Sequence, residues 1–491
     1  MISKRLDSMS NDDFQRARSE STGSSACSLK RSVSWKASVT EAWKTDTATT
    51  VQQRLTNYLS YFKPSPLSMQ HAYKTLTSEV QIGIQQNSLP FEESGCSLRM
   101  LDVKLRDLPT ALADGVVYSL AISGRLARVA RISVVNGKTE SESLTRSLVD
   151  ASEHPMGLLD AKATAMELFD FLALLVKELV DKHQDDGQPL VFTFGYPLEH
   201  QSARSATLVA WHGAGGFDTG RDTNDKVEGA DIGLLLECAF WRHEVPVEVV
   251  VLTNAPCVAL VGASVQTASP RCAVGVVADL GFNACFLHNG VMLNTEVGNF
   301  NVDLPATDVD LEIDWANSNR DTQMLEKMVS ANYLGEICRR SVLKVWQSAA
   351  PSLVWARDSL PTSAAAHIIM DNTSDMSISR KILSHAWEWE ASLSDLADMR
   401  ELFEVIFDRS AGLIAVVIAV LATKTGLLQA ALGGLTVSLH GSLFSMNNFF
   451  KDRVHHYLRQ LLGNRYEYLH VTSFEKCMDV GGAALALHYQ K

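Results

Sequence analysis

The chain has 491 residues, 46% of them hydrophobic and 20% charged, an ordinary globular profile with enough apolar material for two or three domains. Its net charge of −12 argues against direct nucleic-acid binding, which rests on basic surfaces. None of the eight cysteines form a C-x-x-C pair and no Cys/His cluster has zinc spacing, so no metal site is expected. The thiols read as reduced residues of an intracellular protein, with the cytoplasm favoured and the nucleus or a mitochondrial surface left open.

Residues 1–55 differ from the rest. Ten serines fall within the first 35 residues, and large aliphatics are few, so a disordered tail is expected. Arg18-Ser-Glu-Ser21 and Arg31-Ser-Val-Ser34 repeat an R-S-x-S pattern, which suits basophilic kinases and makes Ser21 and Ser34 candidate phosphosites. Short basic serine motifs are also common in unstructured tails. Lys4-Arg5 and Lys30-Arg31 are too short to carry a nuclear assignment.

After the tail, the pattern predicts helices over Leu55–Phe62 and Met69–Gln86. Strand signals follow from 98 to 136, with a polar turn at Val135-Asn-Gly137. Apolar spacing predicts a helix over Ala161–His183, a buried strand over Pro189–Phe194, a helix over Asp231–His243 and a strand over Val247–Leu252. Cys272–Val277 and Ala284–His288 read as a hairpin. Long helices are expected over Thr322–Val345, Ser394–Asp408 and Ala411–Lys424. The most apolar run, Ser410–Thr423, has 14 uncharged residues, short of the roughly 20 that a membrane span needs, so it reads as a core helix with no transmembrane segment. Strands alternating with long helices imply an α/β class.

Several motifs then resemble the hexokinase family. Met100–Gly115 is similar to the family's M-L-P-T-x-V-x-x-L-P-T-G-x-E-x-G, and Phe192-Thr-Phe-Gly-Tyr-Pro197 to F-T-F-S-F-P. Asn294-Thr-Glu-Val-Gly-Asn-Phe300 resembles N-T-E-W-G-A-F, and Gln323–Glu336 resembles Q-L-F-E-K-M-I-S-G-M-Y-L-G-E. The order of the matches is the family's order. The resemblance implies a hexokinase/actin-like ATPase (ribonuclease H-like) fold, α/β, with two domains and a cleft between them. On this reading residues 56–106 are lead-in helices and part of the large domain. Residues 107–253 form the small domain, 254–470 the large domain, and 471–491 return to the small domain.

The resemblance also marks departures. Val249–Leu260 is similar to V-V-A-L-V-N-D-T-V-G-T-L, in which the Asp accepts the proton of the sugar 6-hydroxyl; here that place holds Ala255, whose methyl accepts nothing. No catalytic residue is therefore assigned. Pro256 is expected to disfavour helix at Ala255 and to reshape this turn. Ser119–Val129 matches the first phosphate hairpin, A-L-D-L-G-G-T-N-F-R-V, but Ala121 replaces its Mg²⁺-serving Asp. Asp279–Phe286 matches the second hairpin, G-T-G-T-N-A-C-Y, with an anion-repelling Asp at its start. Gly124, Gly281, Gly441 and Ser442 remain as a degenerate nucleotide set. The sugar-contacting positions implied by the family survive as Asn254, Asn283, Glu296, Gln323 and Glu326, while its Ser is Gly195 and its W-T-K-G-F segment is Trp211–Phe217 without the lysine. The five survivors could equally serve only to hold the cleft together.

The expected function is that of a regulatory or scaffolding pseudoenzyme linked to carbon and glucose signalling, similar to the atypical hexokinase-like proteins of filamentous fungi. A weak ATP-dependent hexose kinase and a non-catalytic sugar sensor are the alternatives. A hexose ligand and a protein partner are implied. No resident cofactor is expected, ATP and Mg²⁺ entering only if activity remains.

Overall fold

A computed structural model describes residues 49–86, 96–150, 156–211, 216–267 and 271–490. Ser21, Ser34 and almost all of the expected tail lie outside the described residues. Among the described residues the first helix, α1, runs Val51–Phe62 and so begins four residues before the expected Leu55. It leads into α2 (Pro66–Gln85), where Ser65 and Ser68 form a reciprocal capping box ahead of a proline at the first turn.

Two sheets organise the remainder. One has five strands in the order β4-β3-β2-β5-β8, namely Lys138–Ser147, Leu126–Val135, Gly115–Ser123, Gln188–Phe194 and Val247–Thr253. Strands β2, β5 and β8 run parallel; β3 and β4 add antiparallel. Asn136 and Gly137, at φ 52° and 72°, form the expected turn as a two-residue hairpin link whose positions both need a left-handed backbone. The polar strand β4 that follows it, KTESESLTRS, was not expected. It is an edge strand, and its polar residues face water. Helices α3 (Ala165–His183) and α4 (Ile232–Arg242) share this sheet's core cluster, which is separate from the larger one. The short hairpin strands β6 (Leu198–His200) and β7 (Ala206–Leu208) lie beyond β5.

The second sheet has six strands in the order β1-β11-β10-β9-β12-β13: Leu101–Asp102, Val291–Asn294, Phe282–His288, Cys272–Ala278, Leu435–His440 and Leu469–Thr472. The expected hairpin is β9–β10, paired antiparallel. Parallel β12 and β13 close the other edge. Helix α5 (Ala255–Gln266) packs against β9 and against the last helix, α14 (Cys477–Tyr489), which also lies on β2 of the five-stranded sheet. At the α5–α14 crossing a methyl added to Gly262 would lie 2.1 Å from the Cys477 carbonyl oxygen, and one added to Gly481 would lie 2.1 Å from that of Val258. The two backbones are in direct contact.

Two expected long-helix divisions are drawn differently in the structure. Thr322–Val345 is two helices, α7 (Met324–Val329) and α8 (Ala331–Trp346), because Ser330 is extended at φ −82°, ψ 154° and ends one while opening the other. Ser394–Asp408 and Ala411–Lys424 are one 32-residue helix, α11 (Leu393–Lys424). It continues through Arg409 because that side chain, 1% exposed, pairs with buried Asp310 on α6 (Asp308–Ala316) and lies 4.7 Å over the Phe62 ring. Helix α11 is long and apolar enough to cross a membrane, but 89% of its most apolar stretch is buried within this fold.

Candidate functional site

The loop ends of both sheets carry the residues singled out above. Asn254 follows β8 and is the N-cap residue of α5. Its side chain makes no cap bond; instead Nδ2 donates to the carbonyls of Phe194 at 2.9 Å and Tyr196 at 2.8 Å. The five-stranded sheet's 194–196 loop is thereby tied to the start of α5. Asn254 Oδ1 accepts from Asn294 Nδ2 at 2.9 Å, and the same Nδ2 donates to Glu296 Oε1 at 2.7 Å. Asn283 Nδ2 donates to Asn294 Oδ1 at 2.9 Å and to Glu296 Oε1 at 3.1 Å.

Three of the five expected sugar-side residues, Asn254, Asn283 and Glu296, are thus joined through a fourth that the residue reading did not single out. Asn294 is 1% exposed and opens the N-T-E motif, which was the signal available for it. Glu326 approaches from α7 and accepts the Phe282 amide at 3.0 Å, one residue before Asn283. Gln323 is held separately, its Oε1 accepting from Asn319 at 2.6 Å. Both Glu296 (φ 51°) and Gln323 (φ 52°) are left-handed, a conformation costing such side chains about 1–3 kcal/mol and found where surroundings over-determine it. For Gln323 the enforcing group is Lys327. Its Nζ bonds Asp314 Oδ1 at 2.6 Å and the carbonyls of Asn319 at 2.7 Å and Thr322 at 2.8 Å.

Burial pushes the Glu296 carboxyl above its ordinary range, against the opposing pull of its Asn294 and Asn283 hydrogen bonds and of Arg99. Burial also raises the Tyr196 phenol well above 10, with Glu326 adding to it. Tyr196 belongs to an aromatic cluster in which Trp211 meets it edge-on at 4.9 Å and stacks on Phe217 at 4.8 Å. Trp211 Nε1 is fixed by the Thr219 carbonyl at 3.0 Å. Residues 212–215, inside the segment compared with W-T-K-G-F, lie outside the described residues.

Ala255 is the first residue of α5, half-buried, with Asn254 as N-cap. The expected disruption by Pro256 does not occur. A proline in the first helical turn lacks an N–H that would have no intrahelical acceptor there, so the helix starts at Ala255 regardless. The turn from β8 into α5 is thus a regular helix start with Ala255 as its first residue.

The nucleotide side is different. Ala121 lies on β2 between Arg128 and Thr193 in register and offers no ligand to a cation. Gly124 and Arg125 form the two-residue β2–β3 turn, Gly124 at φ 56°. A methyl added to Gly124 would lie 3.3 Å from Leu280 Cδ1, so the tip of the β9–β10 hairpin sits against this turn. A methyl added to Gly281 would lie 3.3 Å from Glu326 Oε2, so that glycine faces the Glu326 carboxylate. Asp279 Oδ1 accepts from the Ser442 hydroxyl at 2.9 Å. Gly441, at φ 150°, passes so close to Ala278 that a methyl there would be 1.9 Å from its carbonyl oxygen. Burial lowers the pKa of neighbouring His440, with Asp279 opposing. A carboxylate and an isobutyl group therefore stand beside the two turns. Among the described residues no group of three or more His, Cys, Asp or Glu side chains is placed to hold a metal.

Two mixed sheets, with a polar shell and two opposed turns where their loop ends meet, define a protein of the two-domain actin-like ATPase fold. Comparison with known proteins is more specific. Hexokinase family models match residues 54–265 and 273–488. The hexokinase of Toxoplasma gondii is 30% identical over 438 residues, covering 84% of this chain and 92% of that protein. The hexokinase of Plasmodium falciparum is 30% identical over 456 residues, covering 88% and 91%. A hexokinase crystal structure superposes with TM-score 0.78 at 30% identity, over 89% of this chain and 99% of that one. A Schistosoma mansoni hexokinase complexed with glucose superposes with TM-score 0.76 over 90% and 100%, and at 22% identity shows the shared fold. The chain belongs to the hexokinase family.

Proposed function

We propose that this chain is a regulatory, hexose-binding member of its family that does not transfer phosphate. The observation that carries the reading is Ala255 at the unperturbed start of α5, beside a polar shell whose members hold one another in place. A positioned general base contributes roughly 10²–10⁴-fold, and the residue at this place has none to offer. The loss of Mg²⁺-serving and phosphate-facing groups points the same way, because each acts on a different part of phosphoryl transfer. Neutral hydrogen bonds are worth about 0.5–1.5 kcal/mol each, so a shell of several supports a modest affinity for a hexose. The output would then be conformational: a ligand that contacts groups of both sheets favours the arrangement in which they meet, and a partner protein inside the cell reads that arrangement.

The test is paired. Glucose, fructose and mannose are titrated calorimetrically, and the same protein is incubated with ATP, Mg²⁺ and each sugar, with sugar phosphate read by mass spectrometry. Saturable binding without product is the expected result. Product above that of an N254A/E296A control would replace this reading with the second one, a slow ATP-dependent hexose kinase, which the plain hexokinase naming of the relatives favours. Absence of both binding and turnover would leave neither.

A further inference from the structure

The tip of the β9–β10 hairpin is unusually well fixed. Asp279, which precedes Leu280, is held at three points: its N–H donates to the Gly281 carbonyl at 3.0 Å, its carbonyl accepts from Ala331 N–H at 2.7 Å, and its Oδ1 accepts from Ser442 at 2.9 Å. Beyond Gly281, the Phe282 amide is held by Glu326 at 3.0 Å. Leu280 itself projects from this frame and is 38% exposed. What it meets is the one residue of the facing turn without a side chain, Gly124, at the 3.3 Å spacing given above for an added methyl. Gly124 belongs to the five-stranded sheet and Leu280 to a hairpin of the six-stranded one, so a single apolar contact links the turns of two sheets.

We infer that Leu280 is a selectivity clasp: seated in the notch at Gly124, it closes the passage between the two turns and keeps polyphosphate ligands from their backbone amides. Turn amides bind anions only when the anion can approach the backbone closely and exchange its water for N–H donors. A branched aliphatic side chain in that gap removes the space and offers no donor. The Asp279 carboxylate behind it disfavours an anion by charge, but it is already engaged with Ser442. The steric element and the charged one are therefore separable. The hydrogen bonds given above for the Asn254–Asn294–Glu296 shell do not use Leu280, so the clasp selects against the phosphate-bearing ligand and not against the sugar. This rests on the reading of the cleft as a sugar site from which the nucleotide is excluded.

The experiment compares Mg·ATP binding by isothermal titration to the full chain and to L280G, L280A and D279N, each checked for folding by circular dichroism and thermal melting. L280G and L280A are expected to bind Mg·ATP at least about tenfold more tightly than the parent chain, with D279N gaining less. L280A keeps a side chain and covers the case in which L280G fails to fold. Equal binding by the parent and the folded Leu280 variants, whether tight or undetectable, would overturn the clasp. So would a D279N gain that matches or exceeds theirs. Glucose titration of the same preparations reports the sugar reading separately: loss of sugar binding in the parent chain sinks that reading, and the nucleotide comparison still decides the clasp.

Discussion

Lys327 Nζ and Asp314 Oδ1 form a 2.6 Å ion pair in which the lysine side chain is 1% exposed and the aspartate 11%. The pair fastens residues 319–323, since Nζ also holds the carbonyls of Asn319 and Thr322, and Asp314 accepts the Asp321 amide. Removing one partner leaves a buried charge uncompensated, which typically costs 3–5 kcal/mol. K327M is expected to lower stability by about that amount in urea unfolding, and K327M/D314L by much less. A double variant as unstable as the sum of the two single ones would show that the pair is not coupled.

Restoring the carboxylate alone is expected to fail. A255D places an acid at a helix N-terminus, a position worth about 0.3–1 kcal/mol in its favour, so the variant should fold. It should remain without detectable glucose phosphorylation because Leu280 and Asp279 still face the phosphate site. A255D combined with A121D, D279G and L280T is the smallest set expected to yield sugar phosphate in a mass-spectrometric assay. Turnover by A255D alone would mean that the phosphate turns are competent as they stand.

Asn294 should behave as a positioning residue. N294A removes the donor shared by Asn254 Oδ1 and Glu296 Oε1 and the acceptor of Asn283. Leaving buried polar groups unpaired costs about 1–3 kcal/mol, so a fall in melting temperature and a glucose affinity weakened by roughly tenfold are expected together. N294D, which keeps the acceptor and loses the donor, should put a second carboxylate beside Glu296 and weaken binding further as pH rises. Unchanged affinity in N294A would remove Asn294 from the shell.

His200 gives the fold an acid-sensitive point. Burial holds its pKa at about 4, well under the ordinary 6.5. The unfolded chain takes up a proton below about 6.5 while the folded chain resists it until about 4, so stability falls as pH drops through that window. The ring is 6% exposed on β6, which contacts β1 of the six-stranded sheet, and Asp102 of β1 is among the charges that act on it. H200Q is expected to flatten the pH dependence of urea midpoints between pH 6.5 and 4 by up to about 3 kcal/mol. A slope identical to the parent's would assign the effect elsewhere.

Much of the fold was legible because its strands and helices keep one period throughout. Pro189–Phe194, Val247–Leu252 and the β9–β10 hairpin could be placed from apolar runs and turn residues alone. Strand β4 could not, since an edge strand wetted on its outer side has no apolar alternation to display. The break at Ser330 and the continuity at Arg409 were hidden for opposite reasons: one is set by a backbone angle, the other by a buried ion pair nearly 100 residues away in sequence. Ala255 was visible as a letter. That the helix would start there undisturbed was not, because a proline's effect depends on whether its absent N–H had a partner. Leu280 did not stand out at all, since its meaning lies in Gly124, a residue of another sheet.

The contact between Gly262 and Gly481 has a practical consequence. Helix α5, whose first residue is Ala255, cannot shift along its axis without carrying α14, the last helix of the chain. A fluorophore placed on the last turn of α14, at Tyr489, is therefore coupled mechanically to the start of α5. Such a dye becomes a gauge of movement at Asn254 and Ala255.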